Sequence, residues 1–227
     1  MVKTVQQTVK QENDILIVSG GRIEDAFVLE LLKKNKYQTM IACDSGMEFF
    51  WRNNICPDLI LGDFDSADSC VADAFRARGD VRLEQFPSEK DWTDTELALR
   101  RALELSPGRI DLVGATGTRL DHVLGNLQLL AIGAQEGVPV FLMDPHNRIR
   151  LIERPLSLKK KEQYGKFVSL IPHGGPVYGL TLKGMKYPLD GATLTPDVSL
   201  GISNEIADDE AFISFTKGKL FVMETKD

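Results

Sequence analysis

Asp63 and Asp65 stand two residues apart in Pro57-Asp-Leu-Ile-Leu-Gly-Asp-Phe-Asp-Ser66, at the end of an apolar run. Side chains two apart in an extended segment point to the same side, so these carboxylates converge while Phe64 faces the opposite way into packing. Carboxylates held that close repel unless a cation lies between them, and magnesium is the usual cation where phosphates are handled. The alternative makes Asp65 and Ser66 caps of the next helix. A second group is Glu89-Lys-Asp-Trp-Thr-Asp-Thr-Glu-Leu97. Thr93 with Glu96 makes a capping box, which starts a helix and turns its first amides and positive dipole end toward an anion. Lys90 and Asp94 flank that end, offering a point charge for a polyphosphate and a further carboxylate for a metal. Capping alone also accounts for Thr93, Asp94 and Glu96. In the third group, Val113-Gly-Ala-Thr-Gly-Thr-Arg-Leu-Asp-His122, a strand runs into Gly114-x-x-Gly117 and then a helix. Such a turn presents backbone amides to phosphate, and Arg119 and Asp121 add charge beside it. His122 and Asn126 read as ordinary helix surface.

The charge distribution agrees with an acidic, cation-holding cleft. The chain of 227 residues has 27 Lys and Arg against 33 Asp and Glu, a net charge of −6. The 51 residues from Asp44 to Asp94 contain nine Asp and three Glu against five basic residues, a net of −7, which leaves +1 for the remainder. Asp holds a hard cation on a short side chain, whereas a merely solvated helix face favours Glu. A basic face for nucleic acid is missing, and no apolar run approaches the roughly 20 residues of a membrane span. The polar first residues resemble neither a secretory signal nor a transit peptide, so the expected compartment is the cytoplasm. Cys43, Cys56 and Cys70 include no Cys-x-x-Cys pair and read as buried small residues. No Ser/His/Asp or Cys/His arrangement points to a covalent intermediate; a cleft of this kind suits phosphoryl-type transfer by positioning and charge neutralisation.

The elements that must hold these groups follow from hydrophobic periodicity. Asp14–Val18, Gln38–Asp44, Asp58–Gly62, Arg109–Gly114 and Val138–Asp144 read as strands. Between them Glu24–Leu32, Gly46–Asn54, Ala67–Arg78, Thr93–Leu105 and Leu120–Gln135 read as helices, the last with a buried stripe of Leu120, Leu124, Leu127, Ala131 and Ala134. This alternation predicts a mostly parallel sheet with helices on both faces and a ligand site beyond the carboxyl ends of its strands. After Arg150, Phe167–Pro172, Val177–Lys183, Ala192–Leu194, Glu210–Phe215 and Leu220–Thr225 are short strands with turn signals between them, the pattern of an antiparallel sandwich or barrel. The expected organisation is an α/β domain over residues 1–147 and a β-sandwich over 148–227. The boundary lies near 147–160, and Lys159-Lys-Lys-Glu162 is a solvated linker or turn.

These residues also resemble a known family, the thiamine pyrophosphokinases. The likeness rests on Asp44-Ser-Gly46, on the three groups above extended through Asn126, on Gly179-Leu-Thr-Leu-Lys-Gly-Met-Lys-Tyr-Pro-Leu189 and on Ser203-Asn-Glu205. The resemblance implies transfer of a diphosphate from ATP to thiamine with release of AMP. It further implies a Rossmann-like domain holding ATP and Mg2+, a smaller antiparallel β domain binding thiamine, and a homodimer with sites between subunits. On matching positions it makes Asp63, Asp65 and Asp94 magnesium ligands. Asp44, Ser45, Lys90, Gly114, Thr116, Gly117 and Arg119 become ATP contacts, and Asp121, Asn126, Ser203 and Asn204 thiamine contacts. Lys90, Arg119 and Asp121 join the metal ligands in catalysis. The chain departs from the family pattern at Ser45, Met47 and Thr118, and its only tryptophans, Trp51 and Trp92, do not correspond to the aromatic that stacks on thiamine in some relatives. Two other readings are a diphosphokinase acting on another alcohol, such as a pterin, and a non-catalytic sensor of thiamine or its diphosphate.

Overall fold

The computed structural model describes residues 13–64, 69–89 and 91–227. The first part alternates β1 (Asp14–Val18), α1 (Asp25–Lys34), β2 (Thr39–Cys43), α2 (Met47–Arg52), β3 (Leu59–Gly62), α3 (Ser69–Arg78) and β4 (Arg82–Gln85). It continues with α4 (Asp94–Glu104), β5 (Arg109–Val113), α5 (Leu120–Gln135) and β6 (Val140–Met143). Strands follow without further α-helix: β7 (Asn147–Ile152), β8 (Leu156–Lys159), β9 (Phe167–Pro172), β10 (Val177–Lys183), β11 (Leu189–Leu194), β12 (Glu210–Ser214) and β13 (Leu220–Thr225).

Nine strands form one sheet in the order β4-β3-β2-β1-β5-β6-β7-β13-β9, and β11-β10-β12-β8 form a second. The first six strands of the large sheet run parallel. Strand β1 lies in the middle and is apolar at successive positions because both its faces are covered. Ile15 and Ile17 face a core closed by Ala98, Leu99 and Ala102 of α4 and Leu130 of α5. Leu16 and Val18 face the opposite core, closed by Val28 and Leu31 of α1, Phe49 and Phe50 of α2 and Phe75 of α3.

The sheet does not stop at residue 147, where the sequence marks a domain boundary. Asp144 Oδ1 accepts from the backbone N–H groups of His146 and Asn147, both at 2.8 Å, and folds the chain back so that β7 pairs antiparallel with β6. The sandwich therefore borrows one layer from the large sheet: Val168, Leu170, Leu220 and Val222 pack against Leu158, Leu180, Leu182, Ala211 and Ile213 of the small sheet. Lys160–Glu162 forms a single 3-10 turn.

Two expectations need correction. Leu120 and Leu124 are 73% and 59% exposed, and the first turns of α5 bury Asn126 instead, because that helix end leans over the loop after β5 rather than over the sheet. Of the cysteines only Cys43 is buried; Cys56 is half-buried and Cys70 exposed, since only Cys43 lies on a central strand. Strands β4 and β7, which hydrophobic periodicity does not mark, carry charges, β4 as the sheet edge and β7 through Arg148 and Arg150.

Two glycines make opposite predictions. Gly184 has φ +68°, and an added Cβ would lie 2.1 Å from the Glu210 carbonyl oxygen. Gly184→Ala should destabilise by about 1–3 kcal/mol from backbone strain alone. Gly125 is helical with open space around it, so Gly125→Ala should stabilise by about 0.5–1 kcal/mol. Urea denaturation of the two variants against the parent checks both signs.

Candidate active site

The chain lays β2, β3 and β4 on one side of β1, then crosses to place β5 and β6 on the other. Loops leaving β1 and β5 therefore diverge to opposite faces, and the crevice between them is where open α/β sheets bind ligands. A cavity of about 420 Å³ occupies that place. Its walls are the loop after β1 (Ser19, Gly20, Gly21, Arg22), Asp44 and Ser45 after β2, and the run from Gly114 to Arg119 after β5. The first turns of α4 and α5 complete it with Asp94, Thr95, His122 and Asn126.

The two loops can approach only because they lack side chains at the contact. A Cβ on Gly21 would lie 2.4 Å from the Gly114 carbonyl oxygen and 2.6 Å from that of Thr116. Gly114 has φ +66°, and a Cβ there would lie 2.3 Å from the Ser19 carbonyl oxygen. In their place runs a backbone zipper: the N–H groups of Ser19, Gly21 and Arg22 donate to the carbonyls of Val113, Gly114 and Thr116 at 2.8, 2.7 and 3.0 Å. Gly117 differs, since its nearest neighbour would be Arg22 N at 3.6 Å, an ordinary contact. Of the two glycines read as a phosphate turn, crowding requires only Gly114.

Both helices point their N-termini into this crevice. The Thr93 hydroxyl accepts from Glu96 N at 3.2 Å, as the capping box predicts. One residue into the helix, Thr95 shares a buried 2.6 Å hydrogen bond with the Ser19 hydroxyl, which fastens the start of α4 to the loop after β1. Asn126 of α5 donates through Nδ2 to the Ala115 carbonyl at 2.8 Å and is buried, so it is a support for the loop rather than surface. Two helix dipole ends converging on one cavity favour an anion there.

Acidic groups line the same crevice. Asp44 takes φ +48° in the turn after β2. Asp44 and Asp94 line the same cavity, and both act on Cys43, whose thiol pKa burial raises first and these carboxylates raise further. Asp63, half-buried, follows Gly62, where a Cβ would lie 3.1 Å from the Asp44 backbone. Asp65 and Lys90 lie outside the described residues, and with them the expected convergence of Asp63 and Asp65. Among the described residues no three His, Cys, Asp or Glu side chains form a ready-made metal cage. Magnesium does not need one, because it keeps several waters and takes one or two carboxylates together with substrate phosphates. The hard oxygen donors of Asp44 and Asp94, opening on one cavity, suit it.

Arg119 and Asp121 sit at the rim and hold each other: Nη2 and Nε donate to the carboxylate at 2.6 and 3.2 Å. The same carboxylate accepts from His122 N at 2.9 Å. The Arg119 guanidinium, with the His122 amide, brings the Asp121 pKa down to about 2. A carboxylate so weakly basic is a poor general base near neutral pH. Ser203 and Asn204 do not line this cavity. Asn204 is buried beside β9, donating to the Tyr187 carbonyl at 2.8 Å and accepting from the Tyr187 and Glu205 amides at 3.0 and 2.9 Å. Ser203 is exposed at φ +57°. Sequence reasoning named Asp44, Ser45, Asp94, Gly114, Thr116, Gly117 and Arg119 in the cavity, but assigned no role to Ser19, Gly21, Arg22 or Thr95. The Ser19-Gly-Gly21 turn after β1 was the signal that could have found two of these wall contacts, Ser19 and Gly21.

A carboxyl-detected NMR titration should put the Asp121 midpoint near 2. With a depressed pKa, the pair's stabilisation is complete above the ordinary value of about 3.9 and disappears as pH falls through the lowered one. Arg119→Ala should return the midpoint toward that ordinary value; a midpoint unmoved by the substitution contradicts the pairing.

Comparison with known proteins gives a consistent result. The family model described as "Thiamin pyrophosphokinase, catalytic domain" matches residues 30–142, and "Thiamin pyrophosphokinase, vitamin B1 binding domain" matches residues 155–220. The chain is 34% identical over 196 residues to a thiamine pyrophosphokinase of Bacillus subtilis (strain 168), covering 85% of this chain and 90% of that protein. A crystal structure of thiamine pyrophosphokinase from Bacillus subtilis matches with a TM-score of 0.83 at 34% identity, covering 94% of this chain and 99% of the other. That from Geobacillus thermodenitrificans matches with a TM-score of 0.82 at 31% identity, covering 94% and 98%.

Proposed function

The chain belongs to the thiamine pyrophosphokinase family, and on that premise we propose that it transfers the diphosphate of ATP to the hydroxyl of thiamine, giving thiamine diphosphate and AMP. The observation that carries this reading is the cavity at the β1/β5 reversal, where two helix N-termini open together with the carboxylates of Asp44 and of Asp94, the first residue of α4. The match of residues 155–220 to a vitamin B1 binding domain supports thiamine over a pterin alcohol as acceptor.

The thiamine oxygen bonds to the β-phosphorus as the bridging oxygen between the α- and β-phosphorus leaves with AMP, and the hydroxyl proton passes to solvent. A loose transition state asks little of a base, which agrees with the low basicity of Asp121. The amides at the starts of α4 and α5 hold phosphate oxygens, and Ser19 with Thr95 keeps those amides in place. Arg119 exchanges its Asp121 partner for phosphate as the nucleotide enters, which frees Asp121 to turn to thiamine. Lys90 adds a second cation. Magnesium, when bound, neutralises charge on the phosphate chain, and Asp44, Asp63, Asp65 and Asp94 are the carboxylates that would hold it. In this reading the enzyme works in the cytoplasm as a homodimer, with thiamine entering between subunits beside Ser203 and Asn204. The exposed Tyr187, Leu200 and Ile202 around that turn support an interface there.

Incubation with ATP, thiamine and Mg2+ should give AMP and thiamine diphosphate in equal amounts by chromatography, and nothing without Mg2+. ADP in place of AMP would overturn the β-phosphorus assignment. Asp94→Asn should lower kcat/KM on the order of a hundredfold, the loss typical for one preorganised electrostatic group. An unimpaired variant removes Asp94 from the machinery.

A further inference from the structure

One face of the large sheet carries arginines where it passes from the helix-covered strands to the sandwich. Arg109 and Asp111 lie on β5, Phe141 on β6, Arg148 and Arg150 on β7 and Glu224 on β13. Arg109 Nε donates to Asp111 Oδ1 at 2.7 Å, and the Tyr37 hydroxyl donates to Asp111 Oδ2 at 2.6 Å. Arg148 donates from Nε and Nη2 to the two Glu224 oxygens at 3.0 and 2.7 Å, and Tyr164 N adds a third bond to Glu224 at 3.1 Å. Both carboxylates are buried. Three guanidiniums thus face two carboxylates, and each carboxylate already has its arginine.

Arg150 is the one left over. It forms no hydrogen bond or ion pair among the described residues, and its Nε is buried without an acceptor. Its guanidinium lies 5.3 Å from the centroid of Phe141, which also carries Arg109 at 4.5 Å. In register it stands opposite Val222 of the sandwich core, two pairs along from Arg148 and Glu224 and on the same face. Burial pulls the Arg150 pKa below its ordinary value; Glu224 opposes this, while Arg148 and Arg109 add to it. Stacking on a phenyl ring supplies no hydrogen-bond acceptor, and a buried donor without one is a standing cost. An oxyanion supplies both the acceptor and the missing charge, and the guanidinium fork matches phosphate in geometry.

We propose that Arg150, flanked by Arg109 and Arg148, forms an oxyanion site separate from the β1/β5 cavity, and that it takes inorganic phosphate or the phosphate group of a phosphomonoester. The site shares no residue with the cavity and does not depend on the reaction proposed for it. Occupancy would tie β5, β6 and β7 together at the seam between the helix-covered core and the sandwich core.

Calorimetric titration with inorganic phosphate, in chloride buffer at constant ionic strength, tests this on the parent and on Arg150→Met, which keeps an aliphatic stem on Phe141. The parent should show a binding event that weakens at least about tenfold in the variant, the effect of losing a charge-assisted hydrogen bond, whatever second event the β1/β5 cavity contributes. Superimposable isotherms, or no phosphate binding by the parent, overturn the proposal. AMP that competes for the Arg150-dependent event identifies a phosphomonoester as ligand; AMP that does not leaves free phosphate. If Arg150→Met is unfolded by circular dichroism, crystals of the parent soaked in phosphate decide: density beside Arg150 is expected, and its absence there refutes the site.

Discussion

The structure turns on the contact between the loops after β1 and β5. Strand order reverses there, so the crevice is a consequence of topology, but its shape is set by backbone touching backbone. Gly21 and Gly114 permit that contact, and three backbone hydrogen bonds continue the β1/β5 pairing beyond the strand ends. Three parts of the cavity wall hang from this junction. The start of α4 is tied to it through Ser19 and Thr95, α5 through Asn126 and Ala115, and Ser45 through its hydroxyl bond to the Gly20 carbonyl at 3.2 Å. A rigid frame of amides aimed at one volume needs no reorganisation when charge develops in it, which is the main electrostatic contribution a protein can make to phosphoryl-type chemistry.

Charge at the rim of the site is arranged as ion pairs. Arg119 holds Asp121, and Arg22 lies 3.5 Å from Glu24. Both arginines are at the rim, where solvent screening makes such pairs weak and easily replaced by a polyphosphate. The carboxylates of Asp44 and Asp94 lie deeper and suit a cation arriving with the nucleotide. Pairs on the sheet itself behave differently. Asp111 and Glu224 are buried and fully engaged, so they fix the registry of β5, β7 and β13 rather than take part in exchange.

Much of this was legible in the sequence because it is local. Alternating strands and helices, the Thr93 cap, the carboxyl-end location of the acidic loops and the bounds of α5, β9, β10 and β13 follow from periodicity and capping chemistry. What was not legible depends on partners distant in the chain. Thr95 meets Ser19 across 76 residues, and Arg148 meets Glu224 across the same separation. Neither residue has a neighbour in sequence that announces the pairing. Asn126 read as surface because Leu120, Leu124 and Leu127, spaced three to four residues apart, suggested the buried face, yet the loop after β5 offered the Ala115 carbonyl instead. The sandwich was recognised but not that one of its layers is the end of the large sheet, since β7 alternates arginines with its buried Ile149 and Leu151 and does not read as a core strand.

The central claim is that nucleotide phosphates bind in the crevice at the β1/β5 reversal. Amide hydrogen exchange, with and without a non-hydrolysable ATP analogue and Mg2+, tests it residue by residue. The account predicts added protection at Ser19–Arg22, at the first turn of α4 and from Gly114 to His122, with the small sheet unchanged. Protection confined to β8, β10, β11 or β12, or none in the loops after β1 and β5, would contradict it.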